Sequence, residues 1–279
     1  MKIIVQLFIT ILYVTLFWGV HSGQAAEEEK LLMATTTSTD NTGLLDYLMP
    51  SFTEETGIDL IWTSTGTGKA LKLGENCDVD VLLVHAPQSE INFVNKGFGT
   101  ERRQIMYNDF VVIGPPVDPA SIKNKKIAEA LHSIKSSNAF FVSRGDNSGT
   151  NKKELVLWKL ADIPTPEKES WYRQSGQGML ATINMAAELD GYTLTDRGTY
   201  IKYESVADAK PALVILVSGD AVMLNQYSLI PVNPKHCSSV KYEKTKLFSE
   251  WMAGSEAQRM IGEFRLLGKQ LFTPNAGSQ

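Results

Sequence analysis

Residue types that commonly build metal sites are scarce in this chain of 279 residues. It has two cysteines and four histidines, and neither a CxxC nor an HExxH sequence occurs. A structural or catalytic metal site therefore has little support. The two cysteines, Cys77 and Cys237, lie far apart in the sequence. Export would make a disulfide between them chemically possible, and two separate thiols are the alternative.

Complete nucleotide-binding motifs are also missing. The segment 63–69 is similar to a phosphate-binding loop, but Thr63 replaces its first glycine and Ala70 replaces the hydroxyl residue that should follow its lysine. A dinucleotide fingerprint fails too, because Leu71 stands where its third glycine should be. Nucleotide hydrolysis is therefore not expected. What remains is a turn rich in hydroxyls and glycine that follows an apolar run.

Only one stretch of the chain is long and apolar, and it lies at the N-terminus. Lys2 precedes an apolar run over 3–20, small residues follow at Ala25 and Ala26, and three acidic residues occupy 27–29. This order is typical of a secretory signal peptide, so we expect residues 1–26 to be removed and the mature chain to be periplasmic. An uncleaved anchor is the alternative, because the run approaches the length that spans a bilayer.

The mature chain is acidic. The whole chain has a formal net charge of −4, and loss of residues 1–26 removes one lysine and no acid, which gives −5. An acidic protein is a poor partner for nucleic acid or anionic lipid. A small anion is not excluded, because helix ends and a single arginine determine the field inside a local site.

Short apolar runs alternate with helical patterns along the chain. The runs at 30–34, 59–63 and 79–84 predict strands, and an amphipathic helix follows each of them. This alternation predicts an α/β fold with mainly parallel sheets that helices cover on both faces. Pro50 falls inside the first helical pattern, where it predicts a kink or a break.

A second unit begins near residue 111. Strand-like runs at 139–142 and 213–217 belong to it, and the run at 227–232 returns the chain to the first unit. Two lobes joined by two hinge crossings are therefore predicted. Their expected boundaries are 27–111 and 226–279 for lobe 1, and 112–225 for lobe 2.

Two stretches crowd hydroxyl groups at the start of a helix. One is Thr-Thr-Thr-Ser at 35–38, and the other is 143–150, which contains Arg144. A helix N-terminus favours an anion, hydroxyls add uncharged donors, and a guanidinium matches two oxygens. Asp146 is placed to orient the guanidinium. We therefore predict that two helix ends converge on one small oxyanion, with an ordinary helix cap and a solvated surface loop as the respective alternatives.

Two further turns are candidates for the same ligand. Thr65 and Gly66 follow a predicted strand, and the loop at 175–178 precedes a predicted helix. Gly178 and Met179 in the second turn could offer backbone N–H groups, although simple helix initiation explains that loop equally well.

Together these motifs resemble the tungstate-binding periplasmic proteins of ABC importers. The similar segments are 34–38, 41–46, 80–87, 107–114, 143–150, 171–172, 176–178 and 192–200. The resemblance implies a type II periplasmic binding protein fold, an oxyanion in the cleft between two lobes, and delivery of that anion to a permease by a monomer without catalysis or a cofactor. The ligand-binding residues that it implies are Thr36, Thr37, Ser38, Thr65, Gly66, Arg144, Ser148, Gly149, Thr150, Gly178 and Met179, with Asp146 and His85 in support.

His85 bears on which anion is bound. Phosphate-binding relatives carry aspartate at this position, where the carboxylate accepts a hydrogen bond from the protonated oxygen of phosphate. Tungstate and molybdate carry no proton at neutral pH, and a buried carboxylate would repel them. His85 therefore disfavours phosphate, and it either reaches the ligand as a donor or points into the sheet or hinge. Sulfate is smaller than tungstate and molybdate, and only the resemblance favours tungstate over molybdate.

Two other functions remain as alternatives. A secreted hydrolase of phosphate or sulfate esters would need a base held beside a hydroxyl nucleophile. A receptor for an organic ligand would need an apolar lining, which these loops lack.

Overall fold

A computed structural model describes residues 29–207 and 210–277. The predicted signal peptide at 1–26 and its alternative as an anchor lie outside the described residues. Among the residues that the structure describes, no helix combines the length and the apolar character needed to cross a bilayer.

The chain alternates strands and helices, as the periodicity predicts. The helices are α1 (Thr37–Asp40), α2 (Leu44–Thr56), α3 (Thr67–Glu75), α4 (Pro87–Asn95), α5 (Ile127–Ser137), α6 (Gly149–Leu160), α7 (Met179–Glu188), α8 (Arg197–Ser205), α9 (Tyr242–Ala253) and α10 (Ser255–Glu263). The strands are β1 (Glu29–Thr36), β2 (Ile58–Thr65), β3 (Val81–Val84), β4 (Arg103–Gly114), β5 (Phe141–Ser143), β6 (Tyr172–Gln174), β7 (Thr193–Asp196), β8 (Val214–Val217), β9 (Leu224–Pro231), β10 (Arg265–Leu266), β11 (Lys269–Gln270) and β12 (Thr273–Pro274).

The first lobe is built on β1, which lies between β2 and β3 and runs parallel to both. Helix α2 buries an apolar stripe against this sheet, and the stripe follows the helical period. Pro50 is exposed within α2, and the helix continues through it to Thr56. Of the two predicted outcomes the break therefore does not occur, because burial of residues such as Leu48 and Phe52 holds the helix on both sides of the proline.

Strands β4 and β9 connect the two lobes. Residues 103–109 of β4 pair with β9, whereas residues 110–114 pair with β7 and β8 of the second lobe. Because β4 leaves the first lobe and β9 returns to it, the two strands are antiparallel. The predicted two-lobed α/β fold is thus confirmed, with mixed rather than mainly parallel sheets. Separate apolar cores lie around Phe52 and Phe248 in the first lobe and around Phe141 and Trp158 in the second.

Cys77 and Cys237 form a disulfide. Of the two alternatives for these residues, the bridge is the one observed. It joins the loop after α3 to the segment that precedes α9, across a sequence separation of 160 residues. Closing a loop of this length in the unfolded chain corresponds to about 5 kcal/mol in the chain-entropy model.

Candidate functional site

The end of β1 leads directly into the hydroxyl-rich start of α1. Thr36 is the N-cap of this helix, and its Oγ1 accepts a hydrogen bond from the N–H of Thr39 at 3.3 Å. The hydroxyl of Ser38 lies 3.1 Å from that of Thr36. Because Thr36 alone supplies the cap, the exposed Thr37 and the half-buried Ser38 are not needed for it.

The start of α3 holds a hydroxyl that the sequence analysis missed. Gly66 is the N-cap and makes no side-chain capping bond. The next residue, Thr67, is only 1% exposed, and its Oγ1 has no hydrogen-bond partner among the described residues. The prediction favoured Thr65 and Gly66 in this turn. The available signal was the position of Thr67, which directly follows Gly66 and is the first residue of α3.

Arg144 lies in the loop that precedes α6, and two hydrogen bonds hold its guanidinium in place. Its Nη2 donates to Oδ2 of Asp146 at 2.5 Å, and its Nε donates to the carbonyl of Gln177 at 3.3 Å. The other oxygen of Asp146 accepts from the N–H of Ser148 at 3.1 Å, and Ser148 caps α6. Gly145 adopts φ +60°, and a Cβ there would lie 2.8 Å from the Gln174 side chain, so the loop requires glycine at this position.

A buried carboxylate supports this loop from behind. Glu154 accepts hydrogen bonds from Ser143 Oγ at 2.5 Å, Tyr172 OH at 2.6 Å and Trp158 Nε1 at 3.0 Å. Burial raises the pKa of Glu154, and these donors oppose the rise. Ser143 Oγ in turn accepts from the N–H of Gly145 at 3.2 Å. Glu154 lies inside an amphipathic helix, where nothing in its spacing distinguishes it from a surface acid.

His85 follows β3 and is 5% exposed. Its Nε2 lies 3.1 Å from the hydroxyls of both Ser38 and Thr36, and its Nδ1 lies 2.8 Å from Oδ1 of Asn225. Burial lowers the pKa of His85, and the nearby Arg144 guanidinium lowers it further, while the carboxylate of Asp196 and the bond to Asn225 oppose this. The ring is therefore neutral at neutral pH, with one nitrogen toward the hinge and the other toward the hydroxyls.

These groups line one cleft between the lobes, with a volume of about 320 Å³ in one part and about 700 Å³ in the other. The larger part contains Thr36, Thr37, Ser38, Thr65, Gly66, Thr67, His85, Arg144, Asp146, Ser148, Gly149, Thr150 and Gly178. The smaller part shares Thr37, Ser38, Arg144 and Gly178 with it and adds Met179. Every predicted site residue therefore lies along this cleft.

The cleft is suited electrostatically to an anion. Two lysines that the sequence analysis did not select, Lys69 and Lys72, line it together with Arg144. Among the described residues that line the larger part, Asp146 is the only acid, and it is paired with Arg144. The starts of α3, α6 and α7 line the same space, and a helix start has unpaired backbone N–H groups that favour an anion.

The fold also brings a base beside a hydroxyl, in the His85 and Ser38 pair. That is the contact which a serine hydrolase requires. The group that orients the imidazole is the neutral amide of Asn225, and it supplies no negative charge to stabilise an imidazolium. The contact between His85 and Ser38 therefore lacks the carboxylate that assists the histidine base of a serine hydrolase. We interpret it as a contact that organises the cleft.

Known proteins resemble this chain over most of its length. A model of the PBP superfamily domain matches residues 22–256. The tungstate-binding protein TupA of Campylobacter jejuni is 50% identical over 240 residues, which cover 86% of this chain and 88% of that protein.

Two solved structures have the same fold. The tungstate-binding protein TupA from Desulfovibrio alaskensis G20 is 64% identical, with a TM-score of 0.83, over 88% of this chain and 99% of that chain. The structure described as the tungstate ABC transporter from Geobacter sulfurreducens is 46% identical, with a TM-score of 0.75, over 85% of this chain and 99% of that chain.

Proposed function

This chain belongs to the PBP superfamily and to the family of tungstate-binding proteins, and from that premise we propose that it captures tungstate between its lobes and delivers it to the permease of an ABC importer. The mature protein works in the periplasm as a monomer. It binds its ligand without performing catalysis. It uses no cofactor, and the metal is part of the bound oxyanion.

One observation carries the proposal. The cleft gathers an arginine and three helix N-termini around a space in which the only acid among the described lining residues is already paired with that arginine. Hydrogen bonds to a charged group contribute about 1.5–3 kcal/mol each, so several donors that are aimed in advance offset the dehydration of a dianion. Closure of the lobes strengthens each of these bonds because it excludes water.

The residues that we propose as ligands come from both lobes. They are Thr36, Thr37, Ser38, Thr65, Gly66, Arg144, Ser148, Gly149, Thr150, Gly178 and Met179, with Asp146 and His85 in supporting roles and Thr67 added from the geometry. The proposed lobe boundaries at 111/112 and 225/226 fall within β4 and β9. These two strands are therefore the hinge about which the lobes close.

The donor set favours an anion that carries no proton. A carboxylate would be needed to accept a hydrogen bond from the protonated oxygen of phosphate, and the cleft offers no unpaired acid among its described lining residues. Sulfate is smaller than tungstate and molybdate, so it contacts fewer of these donors at once. The choice of tungstate over molybdate is supported by the family alone.

Calorimetric titration of the purified mature chain with tungstate, molybdate, sulfate and phosphate under identical conditions tests this function. We expect tungstate to bind most tightly and phosphate to bind weakly or not at all. Binding of phosphate as tight as that of tungstate would contradict the proposal. Turnover of an aryl phosphate or aryl sulfate ester, lost on Ser38→Ala, would support the hydrolase alternative instead.

A further inference from the structure

His85 connects the hinge strands to the hydroxyls of the cleft. On the hinge side, its Nδ1 contacts Asn225 of β9, and Asn225 in turn contacts Asn108 of β4. On the cleft side, its Nε2 lies 3.1 Å from the hydroxyls of both Thr36 and Ser38. A single buried ring therefore touches both the hinge and the proposed ligand site.

The hinge amides determine which ring nitrogen carries the proton. Nδ2 of Asn225 donates to Oδ1 of Asn108 at 2.8 Å and to the hydroxyl of Tyr227 at 3.0 Å. The carbonyl oxygen of Asn225 therefore faces His85 and can only accept. A neutral imidazole has one donor and one acceptor nitrogen. Nδ1 is then the donor, and Nε2 is left as an acceptor.

An acceptor at Nε2 directs the hydroxyl protons of the cleft. The oxygens of Thr36 and Ser38 are 3.1 Å apart and lie equally far from Nε2, so the three atoms form a triangle. Thr36 is buried and its Oγ1 also lies 2.7 Å from the hydroxyl of Thr39, whereas Ser38 is half-buried. When Thr36 gives its proton to Nε2, the hydroxyl proton of Ser38 can point at a ligand. The sequence left open whether His85 donates to the ligand or points into the sheet or hinge. With this assignment of protons, a neutral ring held by Asn225 has no proton at Nε2 to donate.

We propose that His85 is a positioning residue for tungstate, with its Nδ1–H fixed by Asn225 and its Nε2 orienting the Thr36 and Ser38 hydroxyls. This inference deepens the proposed function and rests on it.

Charged side chains and aromatic rings from several elements also surround the imidazole of His85. The carboxylate of Asp196, from the end of β7, favours the imidazolium, and the guanidinium of Arg144, from the second lobe, opposes it. The ring of Tyr227 lies tilted against that of His85, with 4.8 Å between the ring centroids, and burial raises the pKa of Tyr227, so its phenol stays neutral. Phe110 completes the contacts at 6.5 Å and carries no charge.

The protonation state can be tested in the unmodified protein. Nitrogen-15 NMR of histidine-labelled, ligand-free mature chain distinguishes a protonated Nδ1 from a protonated Nε2, and His85→Gln assigns the signal. We expect the proton on Nδ1. A proton on Nε2 in the neutral ring would overturn the inference.

Two substitutions distinguish the roles of the two ring nitrogens of His85. His85→Asn keeps a donor near Nδ1 for Asn225 but loses the acceptor, whereas His85→Gln places a carbonyl oxygen near Nε2. We expect His85→Asn to weaken tungstate binding roughly tenfold, the scale seen when an orienting partner behind a ligating group is lost, and His85→Gln to recover most of the affinity. Equal affinities for parent and His85→Asn would overturn the inference, and so would equal losses in both variants.

A variant lacking both hydroxyls shows whether His85 acts through them. In a Thr36→Val/Ser38→Ala background, His85→Asn should cause no additional loss of affinity. A tenfold loss in that background would mean that His85 acts by another route and would overturn the inference. Absence of tungstate binding by the parent chain would instead overturn the proposed function, together with this inference.

Discussion

Gly149 of the second lobe packs directly against His85 of the first. A Cβ atom at residue 149 would lie 3.0 Å from Cε1 of His85 and 3.1 Å from Oγ1 of Thr67, closer than ordinary van der Waals contact. A side chain at the first residue of α6 would therefore require His85 or Thr67 to shift by a few tenths of an ångström. This contact lies between the two lobes.

Gly149→Ala is expected to weaken tungstate binding by hindering closure. The backbone at residue 149 has no left-handed φ, so alanine is strained only by its new contacts across the cleft. Overpacking of this kind costs about 1–3 kcal/mol, which corresponds to roughly a five- to 150-fold rise in Kd. Gly262→Ala, in α10 and outside the cleft, is the matched control, because a Cβ there meets only Pro274, at an ordinary contact distance of 3.5 Å. Equal calorimetric affinities of the two variants would contradict this role for Gly149.

Thr67→Val should separate binding from stability. The Thr67 hydroxyl is buried without a partner among the described residues, and such a group costs about 1–3 kcal/mol. Its removal should leave the Tm of the ligand-free protein unchanged or higher and weaken tungstate binding by roughly tenfold. In the control Thr193→Val, a hydroxyl that donates to the carbonyl of Val142 at 2.7 Å is lost outside the cleft. The control should lower the Tm and leave the Kd unchanged, and a lower Tm with unchanged Kd for Thr67→Val would refute the prediction.

Arg144→Ala is expected to reduce affinity more than loss of any single hydroxyl. It removes charge-assisted donors and leaves the carboxylate of Asp146 unpaired at the cleft, where it repels a dianion. Loss of two such donors corresponds to roughly 100-fold or more in Kd, against roughly tenfold for Ser38→Ala. Adding Asp146→Asn to Arg144→Ala should recover part of the loss. Calorimetry that gave the Arg144→Ala variant the affinity of the parent would exclude Arg144 from the site.

The fold and the location of the cleft follow from local patterns. Strands such as β3 are uninterrupted apolar runs, and the hydroxyls, glycines and single arginine at 143–150 mark a helix start that is open to an anion. These are properties of neighbouring residues, so a single sequence displays them. The same locality explains why the break at Pro50 was an open alternative, since the packing that carries α2 through it comes from distant parts of the chain.

The finer contacts of the site depend on residues far apart in the sequence. His85 and Asn225 are 140 positions apart, and Asn225 lies in a strand whose apolar pattern gives no sign of a hinge amide facing an imidazole. Thr65 is the last residue of β2, and Thr67 is the first residue of α3. The position of this boundary decides which of the two hydroxyls is buried in the cleft. Local pattern therefore predicts which segments line the cleft, whereas tertiary packing determines which atoms of the proposed site face it.

The buried carboxylate behind the Arg144 loop gives stability a pH dependence of definite sign. Burial raises the pKa of Glu154 above the ordinary value of 4.5, so the folded protein holds this proton more tightly than the unfolded chain. The stabilisation from this group is complete below about pH 4.5 and is lost as the pH rises through the folded-state pKa. Glu154→Gln cannot ionise and lacks this contribution.

Urea denaturation of the parent and of Glu154→Gln over a series of pH values measures the effect. The free energy of unfolding of the variant, relative to that of the parent, should rise as the pH increases from about 4.5 toward neutrality. Glu243→Gln, at an exposed position in α9, controls for the removal of one acidic group. A relative stability that falls with pH would mean that the donors from Ser143, Tyr172 and Trp158 outweigh burial and keep Glu154 ionised in the folded state.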